Sequence, residues 1–147
     1  MNLDELKVFN LSMEMGEDIW NIVIKWDFFA KDTLGKQLVR SADSVAANIS
    51  EGFGRFHYKE NMNFCYFSRG SLYETKTWLT KAHNRNLIDD EKFNCFSEQI
   101  ITVARLLNGY IKSIGNSTNV VKEPESDYEI DPWILDKDPS SSTNNNE

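Results

Sequence analysis

The sequence predicts an all-α chain: an antiparallel, up-down four-helix bundle over residues 1–115, then an acidic tail over 116–147 that is disordered or loosely docked. Three observations carry this. Apolar residues recur at three- and four-residue steps in four separate stretches. Only three prolines and seven glycines interrupt 147 residues. After Gly115 the composition turns to Ser, Thr, Asn, Pro and acids, which cannot bury enough apolar area to order themselves.

Residues 1–10 read as a lead-in that Leu6 and Phe9 pin to the body. The first helix is expected from about Leu11 to Lys31. Met15, Ile19, Ile22, Trp26 and Phe29 form one apolar stripe, and Met13, Trp20, Ile24 and Phe28 form a second, nearly opposite. A helix apolar on two sides wants two partners, and in a small bundle the second is another subunit. Met13, Trp20, Ile24 and Phe28 are therefore candidate oligomer-interface residues. Asp32-Thr33 with Gly35 reads as a stop and restart.

The second helix, about Gly35 to Gly52, superimposes two patterns. Leu38, Ala42, Val45 and Ile49 make an inner face, and Arg40, Ser44, Asn48 and Glu51 make a polar stripe roughly opposite. Such groups hydrogen-bond along a helix or to a partner. Gly52 is expected as a left-handed C-terminal cap, with Gly54 opening the turn. The third helix, about Tyr58 to Asn84, takes Phe64, Phe67, Ser71, Thr75, Trp78 and Ala82 as its inner stripe. Met62, Tyr66 and Tyr73 lie on the other side, and Tyr66 and Tyr73 join the interface candidates. His57 is a poor N-cap. Gly70 in mid-helix costs roughly 1 kcal/mol in propensity, which the close approach of another backbone would explain. Asp89 or Asp90 caps the fourth helix, whose Phe93, Phe96, Ile100, Val103, Leu107, Tyr110 and Ile114 form a coiled-coil-like seam ending at Gly115-Asn116.

Residues 116–147 hold Lys122 and Lys137 against eight acids, so −6 of the net −7 falls there and −1 on the body. A near-neutral body lacks the footprint of a strong nucleic-acid binder. Within the tail, Tyr128, Ile130, Trp133, Ile134 and Leu135 form an apolar island that reads as a docking segment. No run of eighteen apolar residues predicts a membrane span, and Asp4, Glu5, Glu14, Glu17 and Asp18 argue against a secretory signal, so a cytoplasmic chain with no membrane partner is expected. Cys65 and Cys95 are then expected as reduced thiols.

No enzyme, metal or cofactor is expected. His57 and His83 have no carboxylate that the sequence places beside them, Glu-x-x-His does not occur, and Gly52-x-Gly54 lacks the strand-turn-helix context of a phosphate loop. The richest polar constellation is Arg40, Ser44, Asn48, Glu51 and Arg55, with Arg69, Ser71 and Glu74 across on helix three. It reads as structural or recognitional, with Glu51 or Glu74 pairing Arg40 or Arg69. Arg40, Arg55, Lys59, Arg69, Lys76 and Lys81 are the cations a local nucleic-acid strip would use.

The run Arg40-Ser41-x-x-Ser44-x-x-x-Asn48-Ile49-x-Glu51-Gly52-x-Gly54-Arg55 resembles the signature of bacterial four-helix-bundle proteins related to the 23S rRNA intervening-sequence protein, a ribosomal-protein-like family. Lys59-Glu60, Phe64, Arg69-Gly70-Ser71-Leu72, Glu74, Thr77, Leu79 and Ala82 continue it. The resemblance implies a homopentamer acting as scaffold or adaptor for an unknown protein partner, with an RNA-associated role as the alternative. A more distant similarity is to the accessory variability protein of diversity-generating retroelements. That branch is strongly basic, and this body is not.

Overall fold

The computed structural model describes residues 1–117. A 3-10 turn, Leu3–Glu5, leads into α1, Lys7–Val23. The second helix has three continuous parts: Phe28–Ala30 in α form, Lys31–Gly35 in π form and Lys36–Phe53 in α form, together α2. Then come α3, Tyr58–Asn84, and α4, Asp90–Asn116. α2 packs on α1 and α3, α3 on α4, and α4 on α1, which closes the antiparallel four-helix bundle.

The first connection differs from the expectation. α1 stops at Val23, eight residues before the expected Lys31, and Asp27 caps α2, its side chain accepting from Ala30 N at 3.0 Å. Phe28 and Phe29 thus belong to α2 and are 78% and 76% exposed, and Trp26 lies in the turn. Gly35 is no breaker. A Cβ there would stand 2.7 Å from Val23 Cγ1 and 3.2 Å from the Ala30 carbonyl, so glycine lets the end of α1 close on α2.

Leu38, Ala42, Val45 and Ile49 are all buried, as their spacing predicts. Gly52 is not a left-handed cap: among the described residues no glycine has positive φ, and Gly54 ends α2 at φ −76°. Gly52 instead permits close approach, since a Cβ there would meet Asn61 Oδ1 at 2.7 Å and Phe64 Cβ at 2.8 Å.

The inner face of α3 also differs. It is Asn61, Cys65, Ser68, Leu72, Thr75, Leu79 and Ala82, while Phe67 is 58% exposed. Ser68 Oγ donates to the Val45 carbonyl at 2.7 Å, and Thr75 Oγ1 lies 3.0 Å from Ser41 Oγ. The α2–α3 seam is therefore lined by small hydroxyl residues that bring the two backbones together and satisfy each other's polar groups. Gly70 has no such role; it is exposed, and a Cβ there would meet nothing within 4 Å.

At the far corner Asn86 adopts φ 59°. Its N–H donates to the His83 carbonyl and that of Leu87 to the Ala82 carbonyl, a Schellman termination of α3. Asp89 caps α4, accepting from Lys92 N at 2.7 Å. The α4 seam buries Phe96, Ile100, Val103, Leu107 and Ile114, with Phe93 and Tyr110 half-buried against it.

Candidate functional site

The polar stripe of α2 lies along the outside of the α2–α3 seam. Ser44 Oγ donates to the Arg40 carbonyl at 2.7 Å and Asn48 Nδ2 to the Ser44 carbonyl at 2.9 Å. Arg55 Nη2 pairs with Glu51 Oε1 at 2.5 Å, and its guanidinium lies over Phe64, 5.0 Å from the ring centroid. This exposed i,i+4 pair is worth only a few tenths of a kcal/mol. Its effect is orientational, since Glu51 holds Arg55 where it reaches α3.

On α3, helical spacing of about 100° per residue sets Phe64, Phe67, Ser71, Glu74 and Trp78 on the flank turned toward α2. Phe64 and Phe67 meet edge to face, centroids 5.6 Å apart, and Glu74 Oε1 accepts from Trp78 Nε1 at 3.2 Å. Ser71 and Glu74 thus share a face with the α2 stripe, but Arg69 does not. Arg69 Nη1 reaches Asn108 Oδ1 on α4 at 3.4 Å and its guanidinium lies over Tyr66. The expected pairing of Glu51 or Glu74 with Arg40 or Arg69 is replaced by Glu51–Arg55 and Glu74–Trp78.

The cations divide accordingly. Arg40 stands on α2 and Arg55 in the turn just past its end, and Arg69 and Lys76 flank the α3–α4 seam around a small cleft with Tyr73 and Asn108. Lys59 and Lys81 face solvent. Helical spacing spreads the six over separate faces rather than one strip.

A second surface is apolar. Met13, Trp20 and Ile24 are 47%, 50% and 44% exposed, on one stripe of α1 and at its end. Phe28, assigned to that stripe by sequence, projects from the start of α2 instead. Tyr66 and Tyr73 are half-buried against their own core. The docking segment Tyr128, Ile130, Trp133, Ile134 and Leu135 lies outside the described residues.

His83, unlike the sequence reading, has a carboxylate: its Nε2 stands 2.6 Å from Asp90 Oδ1, and its ring stacks on Phe93. The pair fastens the α3–α4 corner. Both cysteines are free thiols; Cys95 is exposed, and burial pushes the Cys65 thiol up to about 12, far from reactive. Asn61 Nδ2 donates to Tyr110 Oη at 3.2 Å, tying the start of α3 to the end of α4. Burial raises the Tyr110 hydroxyl and the Asn61 bond lowers it. Among the described residues no group of three or more His, Cys, Asp or Glu is placed to hold a metal ion, and no helix is long and apolar enough to cross a membrane.

Sequence reasoning missed the surface role of Phe64 and Phe67, which it placed in the inner stripe, while Trp78 is half-buried and does pack against the core. The signal that competes with the two phenylalanines is the equally periodic Cys65, Ser68, Leu72, Thr75, Leu79 and Ala82, whose small side chains suit a close helix pair.

Fold and surface together define a small four-helix-bundle protein whose distinctive groups face outward, in a polar-aromatic face over α2–α3 and an apolar face on α1. The family model described as "23S rRNA-intervening sequence protein" matches residues 4–109, and the chain belongs to that family. It is similar to a crystal structure of a protein of unknown function from the S23 ribosomal protein family of Bacteroides thetaiotaomicron VPI-5482. The TM-score is 0.65 at 24% identity, over 71% of this chain and 95% of that one, a likeness of fold. Comparison with curated proteins gives no match.

Proposed function

We propose that the chain is a non-enzymatic assembly module, a bundle that closes into a symmetric homo-oligomer and serves as scaffold or adaptor for a macromolecular partner. The observation that carries this reading is the half-exposed Met13–Trp20–Ile24 surface on α1. Burying a large apolar side chain is worth roughly 1.5–3 kcal/mol, and about half of that is still available at each of these residues. A cyclic ring pairs this face with a different face of the next copy. Tyr66 and Tyr73 are the aromatic candidates there, and five copies is the number the family resemblance favours.

Multi-angle light scattering tests it. The native protein is expected as a single oligomeric species and Trp20→Glu as a smaller one of unchanged helicity. A monomeric native protein, or an unchanged mass in the variant, overturns the reading. RNA association is read out separately by titrating a ribosomal RNA fragment at increasing salt. Binding that falls steeply with salt and disappears in Arg55→Glu would replace the scaffold reading.

A further inference from the structure

The end of the bundle where the described chain stops carries an aromatic patch. Phe56, in the α2–α3 turn, is 93% exposed, the largest exposure of any aromatic ring among the described residues. Its ring meets His57 edge to face at 5.2 Å. The adjacent Arg55 lies over Phe64, and Phe64 meets Phe67. Patches rich in aromatic side chains rimmed by arginine mark surfaces that are covered in the working molecule. We propose that this patch is the seat of the chain's own segment Tyr128–Leu135, docked in cis.

Three features select that occupant. The first is where the described residues stop. Gly115, near the C-terminus of α4, adjoins Met62 in the first turns of α3, and Asn61 is bonded to Tyr110, so residue 117 leaves the bundle beside the α2–α3 turn. The second is reach. The ten residues 118–127 can reach at most about 35 Å. The Phe56–Phe67 patch extends over about 16 Å of helix rise, within that range. The opposite corner, with Phe28 and Phe29, lies about 40 Å away along α2. The third is charge. Tyr128–Leu135 contains Glu129 and Asp131 and is flanked by Asp127 and Asp136. At the patch Arg55 and Lys59 offset the exposed Glu51 and Glu60, Arg55 being paired to Glu51, so the surface is close to neutral, whereas the apolar face of α1 is edged by the exposed acids Glu14 and Glu17, which repel such a segment. Tethering supplies an effective concentration in the millimolar range, so a contact too weak to form between separate molecules is populated within one.

Amide hydrogen exchange on the full chain tests this. Backbone amides of 128–135 are expected to exchange at least tenfold more slowly than the unstructured-chain rate, and Phe56→Glu with Phe67→Glu is expected to abolish the protection. Both positions are exposed, so unchanged circular dichroism confirms the fold. Trp133→Asp provides the reciprocal measurement, in which protection at residues 55–67 falls while the body stays folded. Exchange of 128–135 at the unstructured-chain rate in the native protein, or protection indifferent to the Phe56 and Phe67 changes, overturns the proposal. Protection lost in a monomeric Trp20→Glu variant would place the segment on a neighbouring subunit and overturn the cis assignment. Because the readout is local protection and not mass, failure here leaves the oligomer reading untouched, and the reverse also holds.

Discussion

Asp43 shows how one side chain reports on the α1–α2 approach. It faces Gly16 of α1, where a Cβ would come within 2.9 Å of its carboxylate. Desolvation raises its carboxyl above the ordinary 3.8, and nearby Glu17 raises it further. A raised acid is less comfortable ionised in the fold than in the unfolded chain, where it keeps its ordinary value. Its ionisation therefore costs stability above the raised value, and the cost disappears as pH falls through that value toward 3.8. Asp43→Asn is expected to melt higher than the native chain at pH 7, with the gap closing on acidification toward pH 4. Glu17→Gln is expected to give a smaller gain of the same sign, since it removes the lesser cause. Thermal melts of both variants across this range check the sign, and an Asp43→Asn gap that widens on acidification contradicts it.

At the scale of the helix, the glycines sort by what surrounds them. Gly52 and Gly70 both sit within helices and both cost helix propensity, yet only Gly52 faces a neighbouring helix. Gly52→Ala would thrust a methyl into Phe64 Cβ and Asn61. Overpacking of this kind costs about 1–3 kcal/mol, against a propensity gain of about 1 kcal/mol. Gly70→Ala meets nothing and takes the gain alone, roughly 0.5–1 kcal/mol. Urea unfolding of the two variants should shift the midpoint in opposite directions, down for Gly52→Ala and up for Gly70→Ala.

The same comparison explains what the sequence made legible. The α4 seam was readable because large apolar residues at strict three- and four-residue steps have one reading in a helix, and the sequence narrows its cap to Asp89 or Asp90, of which Asp89 takes the position. The α1–α2 boundary was not. Ile24-Lys25-Trp26 continues the apolar rhythm, no Gly or Pro marks the break, and the only cue is Asp27. On α3 the expected stripe shares Thr75 and Ala82 with the buried face but takes Phe64 and Phe67 where the core takes Cys65 and Ser68, because the rings outweigh those small residues on any hydrophobicity count. The core chose the small residues because α2 and α3 pack too closely for rings. Of the α2 stripe, the spacing revealed the face but not its partners, since Arg69 turned to α4 and Phe64 took its place beside Arg55.

For the molecule as a whole, the distribution of charge and greasy surface bears on how copies coexist. The body carries −1 and the last 32 residues −6, so copies repel mainly through segments that leave from one end. The apolar face of α1 runs along the flank, so contact through it need not crowd those segments together. If folding is coupled to such contact, stability must depend on protein concentration by mass action. For a pentamer, a hundredfold rise in concentration adds roughly 2 kcal/mol per subunit. In a bundle of this size that corresponds to roughly 8 °C in melting midpoint. The native protein is expected to show this rise between micromolar and hundred-micromolar samples by scanning calorimetry, and Trp20→Glu to show a midpoint independent of concentration. A native midpoint equally insensitive to dilution, with unfolding that remains reversible, would mean that each bundle is stable alone and that the α1 face is not what holds copies together.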